Sequence, residues 1–288
     1  DNFLLAKAGL MPTEAYLETL TFLSEETSYV IWAEVARNFA QLERLLYGTK
    51  ATIVLNEFKK TLFVNLLARL GNRSKSRERN NDGILRGLAL NEAGLAGSKP
   101  ALTVARQLFS SITAGKTIDP NLRAAAFTVT AKFGELKIQK QLERMHVEND
   151  LAIEKQLLLF AMINGANQKS AKSVLKFVYG KQVRDQDRPH AMAATLANPY
   201  LKSSAWIEII NNWPVLQQRF AATKQAGVLL SGAQSFNQPA ELAKFQKFVK
   251  THKLPGAKQA VAQTMEKIQI NLAWKKRDLA GIIRYLNK

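Results

Sequence analysis

Apolar residues recur along most of the chain at the three- and four-residue spacing of an amphipathic helix. This pattern predicts two N-terminal helices over 13–23 and 25–47 and a third over Ala51–Leu70. Gly48 and Gly71 follow the second and third helices as stop signals. No window shows the strict alternation of a half-buried strand, so we predict an all-α fold. The apolar stripes of the second and third helices contain Val30, Ile31, Val35, Phe39, Leu42, Leu46, Phe58, Leu62, Phe63, Leu66 and Leu70.

A polar, charge-rich stretch over residues 72–82 separates these helices from a series of shorter ones. It divides N-terminal helices at 1–80 from helical repeats at 81–288, within what we expect to be one continuous domain. At Asn198-Pro199 a capping side chain precedes a proline, so Asn198 is expected to cap a helix that Pro199 begins. Helix pairs spaced about 30–40 residues apart indicate an α-solenoid. The expected architecture is a curved solenoid of paired antiparallel helices, a bowl like HEAT or armadillo arrays.

Net charge is the feature that departs most from an ordinary globular chain. The sequence has 41 Lys and Arg against 23 Asp and Glu, a balance of +18. Such a field attracts nucleic acid, acidic peptides or anionic membrane surfaces without choosing among them. The longest apolar run, over 157–163, is far shorter than the ~20 residues that span a bilayer, so no membrane partner is expected. The absence of cysteine excludes disulfides, thiol catalysis and Cys-based zinc sites.

Residues with the chemistry for catalysis or metal binding are few and scattered. The histidines, His146, His190 and His252, lie too far apart for the helical H-E-x-x-H zinc motif, and no glycine-rich phosphate loop is present. We interpret His146 as part of an exposed helix end rather than as a ligand. We interpret Asp185 and Asp187, which arginines flank, as solvated ion pairs rather than acid–base groups. The sequence therefore offers no catalytic residue, no metal ligand and no cofactor site.

The C-terminal part of the chain is its most basic region. Residues 242–288 contain eleven Lys and Arg and two acidic residues. Lysines recur there at every third position, opposite an apolar side; the lysines are Lys244, Lys247, Lys250 and Lys253, and the apolar residues are Phe245, Phe248 and Val249. This pattern fits either a solvated face opposite a core face, which we favour, or an anion-binding surface. Nucleic acid is not the expected ligand, since the aromatic residues lie at core spacing.

The segment 195–213 is the most informative stretch. It contains Asn198-Pro199, then Ala205-Trp206, then Asn212-Trp213. This order and spacing resemble a hallmark of the C-terminal helical domain of zinc aminopeptidases of the aminopeptidase N type. That group includes the endoplasmic-reticulum antigen-trimming and puromycin-sensitive enzymes. Because Trp206 and Trp213 are seven residues apart, we expect them to be buried together on one face of a helix.

Other segments extend the resemblance over most of the chain. Residues 83–90 resemble the family's helix start after a charged linker, residues 235–248 resemble its turn and following helix, and residues 266–286 resemble its closing helix. These are packing motifs, which identify the domain rather than an active site. The structural motif residues so assigned are Asn198, Pro199, Trp206, Trp213 and Trp274.

The resemblance implies a helical bowl that faces a catalytic domain located upstream in the same chain. In the family this domain forms the wall of the peptide cavity and regulates access, while zinc and its ligands belong to earlier domains. The chain begins without Met, and we expect it to be an internal fragment. The expected partners are that catalytic domain and peptide substrates, from which the parent enzyme removes N-terminal residues in the cytoplasm.

Site residues follow less directly from the resemblance. Arg86, Arg123 and Arg188 are candidates for inward-facing contacts with peptide carbonyl or carboxylate groups, although structural ion pairing is the favoured interpretation of each one. Some members hold the peptide's C-terminal carboxylate with basic or tyrosine side chains, but the corresponding places here contain Ala197 and Ala40-Gln41. The alternative function is a stand-alone basic α-solenoid that binds an acidic protein or nucleic acid.

Overall fold

The computed structural model describes residues 1–74, 78–79, 81–220, 225–254 and 256–287. These residues form α-helices and three short 3-10 segments, Thr21–Glu25, Pro120–Leu122 and Gly232–Ser235, and no strand. The all-α fold class is therefore confirmed. The α-helices are α1 Asn2–Ala8, α2 Thr13–Leu20, α3 Tyr29–Leu46, α4 Ala51–Leu70, α5 Asp82–Leu95, α6 Lys99–Thr113, α7 Arg123–Phe133, α8 Leu136–Glu148, α9 Ala152–Asn164, α10 Ala171–Val178, α11 Arg188–Ala197, α12 Lys202–Asn211, α13 Trp213–Phe220, α14 Gln225–Ser231, α15 Pro239–Thr251 and α16 Lys258–Leu286.

The helices form two compact units. Unit 1 comprises Asp1–Ile138 with Asp278–Lys288, and unit 2 comprises Gln139–Arg277. The helices on either side of the charged stretch 72–82, α4 and α5, pack against each other inside unit 1. Part of that stretch, residues 75–77 and 80, lies outside the described residues. The division at residue 80, the HEAT-like repeat type and the bowl stay predictions.

The first two predicted helices differ from those in the structure. The helix predicted over 13–23 ends at Leu20, and a 3-10 segment follows it. The carboxylate of Glu26 accepts hydrogen bonds from the backbone N–H groups of Thr27 and Ser28, both at 2.6 Å, and this turn delays the start of α3 to Tyr29. Apolar periodicity alone does not register a local side-chain-to-backbone bond of this kind. The third prediction, Ala51–Leu70, is confirmed residue for residue.

Helix α5 lies at the centre of unit 1, where it contacts α3, α4, α6 and α7. At Gly87 the helix meets the turn before α7 so closely that an added Cβ would lie 2.1 Å from the backbone oxygen of Asn121. Only glycine fits a contact this short. Aromatic rings fill the neighbouring layer: Trp32 and Phe39 both meet Phe63 edge-on, with ring centres 5.3 and 6.2 Å apart.

The C-terminal end of α16 packs on the N-terminal helices of unit 1. The hydroxyl of Thr13 donates a hydrogen bond to the carboxylate of Asp278 at 2.5 Å, and both side chains are buried. Farther along, Tyr285 meets Phe58 edge-on with ring centres 6.3 Å apart. The last turns of α16 therefore pack with α2 and α4 in unit 1.

An ion network lies inside unit 1 and was not predicted. Lys59 is only 1% exposed, and its Nζ lies 2.7 Å from Glu43 Oε1 and 2.5 Å from Glu92 Oε2. Burial by itself lowers the pKa of a lysine, but the two carboxylates outweigh it and raise the pKa of Lys59 above its ordinary value. The ammonium therefore stays charged and joins α4 to α3 and α5.

We expect the Lys59→Met variant to lose about 3–5 kcal/mol of unfolding free energy, because it removes the cation that pairs directly with both carboxylates. Lys60→Met is the matched control: Lys60 pairs with Glu57 at the surface, and such a pair contributes about 0–1 kcal/mol. Urea unfolding followed by circular dichroism measures both values. Equal losses in the two variants would contradict a structural role for the buried network.

Candidate functional site

The motif residues of segment 195–213 lie in unit 2, around helix α11, which contacts α9, α12 and α14. Asn198 follows the last residue of α11. Its Nδ2 donates to the backbone oxygen of Ile163 at 2.8 Å, and its Oδ1 accepts from the backbone N–H of Tyr200 at 2.8 Å. The next helix begins only at Lys202, so the prediction that Pro199 begins a helix is wrong. The side chain of Asn198 instead fixes the turn after α11 and joins it to the end of α9.

Trp206 and Trp213 are both buried, but on different helices. Helix α12 ends at Asn211 and α13 begins at Trp213, so the expectation of one continuous helix is wrong. Pro214 accounts for the break, because it has no N–H to offer the carbonyl one turn earlier. The expected joint burial is confirmed: both indole rings meet Phe248 of α15 edge-on, with ring centres 5.2 and 4.9 Å away.

Asn271 on α16 holds the segment that precedes α15. Its Nδ2 donates to the backbone oxygens of Gln234 and Phe236, at 2.8 and 3.1 Å. The hydroxyl of Ser235 donates to the backbone oxygen of Leu196 at 2.9 Å, which joins the same segment to α11. Trp274 is fully buried on α16, as expected of an anchor. We call the packed group of Asn198, Trp206, Trp213, Phe236, Phe248 and Asn271 the motif cluster.

One edge of the motif cluster opens to the surface as a groove between α12 and α15, with a volume of about 380 Å³. Trp206, Phe236 and Phe248 contribute to its apolar lining. Ile207 and Ile210 line it from α12, and Lys244 and Lys247 line it from α15. We call this the Trp206 groove.

Lys244, Lys247 and Lys250 are exposed on α15, whereas Phe245 and Phe248 are buried. The core face is therefore confirmed, and the exposed lysines fit both a solvated face and an anion-binding surface. Lys253 is exposed but lies beyond the end of the helix at Thr251, so it does not extend the stripe.

A second cavity, of about 630 Å³, lies beside α8 and α10. Four cations and two carboxylates line it: Lys140, Arg144, Lys176, Lys181, Glu143 and Glu148. Glu143 is already occupied, since it accepts from the hydroxyl of Ser173 at 2.6 Å and pairs with Lys140 at 2.9 Å. Two carboxylates offset half of the positive charge, and the arrangement resembles a solvated ion-pair surface.

The three arginines proposed from sequence lie in separate environments. Arg86 is buried; its Nε donates to the backbone oxygen of Gly71 at 2.9 Å, and its guanidinium pairs with Glu78. It therefore satisfies a carbonyl at the end of α4. Arg123 lies over the ring of Phe127, with its guanidinium carbon 5.5 Å from the ring centre.

Arg188 is buried within unit 2. Its guanidinium donates to the backbone oxygens of Gly180 and Val183, both at 2.7 Å, and so holds the loop before α11. The guanidinium groups of Arg86 and Arg188 thus organise backbone turns of their own units. Contact of any of the three arginines with a peptide stays a prediction.

His146 and Asp187 are buried, so their interpretation as exposed groups is wrong. His146 meets Phe177 edge-on with ring centres 5.1 Å apart, and its Nδ1 has no hydrogen-bond partner among the described residues. Asp187 accepts from Arg184 Nε at 2.6 Å and from Gln156 Nε2 at 2.8 Å. The partner from α9 lies 31 positions away in sequence, and no local pattern reveals such a distant contact.

Asp185, by contrast, is exposed and pairs with Arg219, which agrees with a solvated ion pair. The Arg219 side chain hydrogen-bonds to the Asp185 carboxylate, and this contact holds the pKa of Asp185 below its ordinary value. No acid–base chemistry follows from this exposed pair.

The described residues contain no group of three His, Asp or Glu side chains placed to hold a metal ion. Zinc needs at least three such ligands, and the arrangement of the described residues does not fit it. None of the helices in the described ranges is long and apolar enough to cross a membrane.

Comparison with known proteins places this chain in one family of helical domains. The chain matches the ERAP1-like C-terminal domain over residues 1–270, and it belongs to that family. The resemblance seen in segment 195–213 is thereby confirmed.

Its curated relatives include aminopeptidases. Aminopeptidase 2 of Candida albicans is 24% identical over 98% of this chain and 31% of its own length. Aminopeptidase A of Gloydius brevicauda is 25% identical over 96% of this chain and 29% of its own length. The thyrotropin-releasing hormone-degrading ectoenzyme of Rattus norvegicus is 23% identical over the whole chain and 28% of its own length. The chain thus spans less than a third of the length of these relatives.

We expect the Asn271→Asp variant to lose about 1–3 kcal/mol of stability, because the carboxylate keeps the shape of the amide but donates no hydrogen bond to the carbonyls of Gln234 and Phe236. Asn287→Asp is the control, since Asn287 makes an exposed bond near the end of the same helix. Thermal unfolding of both variants measures the difference. A loss no greater than that of the control would contradict the role given to Asn271.

His146 makes the stability of the fold depend on pH. Burial, together with the charges of Lys155 and Arg184, lowers the pKa of His146 to about 4. An unfolded histidine takes up its proton near about pH 6.5, so between these values the unfolded state binds more protons and stability falls as the pH falls.

We therefore expect the wild type to lose on the order of 2 kcal/mol more than His146→Phe between about pH 7 and about pH 4.5. Denaturant unfolding at several pH values measures the difference between the two curves. His190→Phe is the control, because it makes the same substitution at an exposed histidine. Parallel curves for the wild type and His146→Phe would show that His146 titrates normally.

Proposed function

We propose that this chain is the C-terminal helical domain of a zinc aminopeptidase that removes N-terminal residues from peptides. In this proposal the domain forms part of the wall of the peptide cavity and regulates access to it. The observation that carries the proposal is the pattern of matches: nearly the whole chain aligns with less than a third of each aminopeptidase named above. The remaining two thirds of such a protein would contain the reacting groups.

The structure supports a role in exclusion and positioning rather than in bond cleavage. Asn198 and Asn271 of the motif cluster bond to backbone groups of neighbouring segments, and in this proposal the cluster acts as a rigid packing unit. A rigid wall contributes to catalysis by limiting the poses of a peptide and keeping water away from it. The described residues present no zinc ligand set, so the proposed zinc belongs to another part of the protein.

The proposal requires that the reaction depend on the longer protein. With zinc and an aminoacyl-chromogenic substrate, the 288-residue chain alone should give no rate above buffer, whereas the parent protein that contains it should turn the substrate over. With peptides of increasing length, the parent's rate should fall beyond a limiting length, because a closed wall admits only short chains. Hydrolysis by the chain alone would overturn the assignment, and a rate independent of length would overturn the cavity-wall role.

The alternative, a stand-alone basic solenoid, is supported by the net charge of +18 and the exposed lysines of α15. It requires tight binding of an acidic macromolecule with a steep salt dependence. Family membership supports the aminopeptidase proposal more strongly, because charge alone attracts anions of every class. The cytoplasmic location stays a prediction.

A further inference from the structure

We propose that the Trp206 groove is a docking site for an acidic, amphipathic segment of another protein. This site lies entirely within unit 2 and does not depend on the peptidase proposal. The inference goes beyond the general basicity of the chain, because it names one groove and the chemistry of its occupant.

The shape of the groove suits a peptide rather than a compact small molecule. Its lining residues extend from Glu241 on α15 to His252, just past the end of that helix, and from Lys202 to Ile210 on α12. At 1.5 Å per helical residue these two walls are about 16 and 12 Å long, the length of two to three turns of a helix. A groove between two helices with one apolar side is a common receptor for an amphipathic helix.

Apolar contact is available on the α12 side. Ile207 and Ile210, one turn apart on that helix, are 56% and 37% exposed. Below them the ring of Trp206 packs against Phe236 and Phe248, with ring centres 5.6 and 5.2 Å away. Burial of such a patch by a partner's apolar side chains is favourable, at about 25 cal/mol per Å² of apolar surface.

The charge of the opposite side selects an acidic partner. Lys244 and Lys247 are exposed, lie one turn apart on α15 and form no ion pair with the described residues. Among the described lining residues Glu241 is the one carboxylate, and it is already engaged: Lys202 lies 2.5 Å away, and the backbone N–H of Asn237 donates to it at 2.8 Å. The two free lysines are therefore complementary to carboxylates that flank an apolar stripe.

The floor of the groove is also held in place before any partner arrives. Asn271 fixes the backbone of Phe236, and the stacking of His252 on Phe248, with ring centres 4.4 Å apart, fixes the other end. A preformed floor lowers the ordering cost of binding, because its side chains have little conformational freedom left to lose.

The test uses a fluorescein-labelled peptide of about 12 residues, long enough to match the groove, with leucines at i, i+3, i+4 and i+7 and glutamates on both sides of that stripe. Fluorescence polarisation with the 288-residue chain at about 0.15 M salt measures the dissociation constant. We expect saturable binding that weakens at least about tenfold when serine replaces the leucines or lysine replaces the glutamates, a change of about 1.4 kcal/mol.

Matched variants locate the site. Lys244→Glu with Lys247→Glu should weaken binding by about tenfold or more, because both rim charges reverse. Lys258→Glu with Lys267→Glu changes the net charge equally at exposed lysines that do not line the groove, and should change the affinity less than about twofold. Circular dichroism confirms that both double variants fold.

Several outcomes would overturn the proposal. Equal losses in the two double variants would mean that the peptide responds to net charge alone. If binding is not saturable, or if the serine peptide binds equally well, the groove is not a docking site for an amphipathic segment. Concentration-dependent self-association that Ile207→Ser abolishes would assign the groove to a second copy of this chain, and displacement of the peptide by single-stranded RNA with a steep salt slope would assign it to nucleic acid.

Discussion

The edge-on packing of two indole rings on the single ring of Phe248 is the contact on which unit 2 depends. Trp206 and Trp213 lie on helices that a proline separates, and Phe248 joins them to α15. Aromatic pairs in this geometry contribute about 0.5–1.5 kcal/mol beyond the area they bury. Because the pair straddles a helix break, Phe248 fixes the angle between α12 and α13 as well as their burial.

Polar side chains complete this core by satisfying backbone groups at helix ends. Asn198, Asn271 and Arg188 each bond to main-chain oxygens in turns, where a helix leaves carbonyls without partners. In unit 1 Arg86 does the same at the end of α4. In both units polar side chains thus supply hydrogen-bond donors to backbone carbonyls near helix ends.

Sequence periodicity predicted the fold class and the helix Ala51–Leu70, and the spacing of Trp206 and Trp213 predicted their burial. It did not predict features that depend on distant partners. Lys59 occupies the buried face of α4 between Leu55 and Phe63, where a pattern of apolar positions expects no charge. Its counter-ions come from α3 and α5, and only the fold brings them within reach. The candidate arginines show the same limit. The sequence singled out Arg86 and Arg188, but it did not show that both side chains bond to backbone oxygens in turns.

The end of α16 packs with the N-terminal helices in unit 1, and this has a consequence for the order of folding. Thr13 near the beginning bonds to Asp278 near the end, with the whole of unit 2 between them in sequence. During synthesis the core of unit 1 is therefore incomplete until the final turns of α16 have been made. Until then Thr13 lacks its native partner, so unit 1 is completed only by a part of the chain that is made after unit 2.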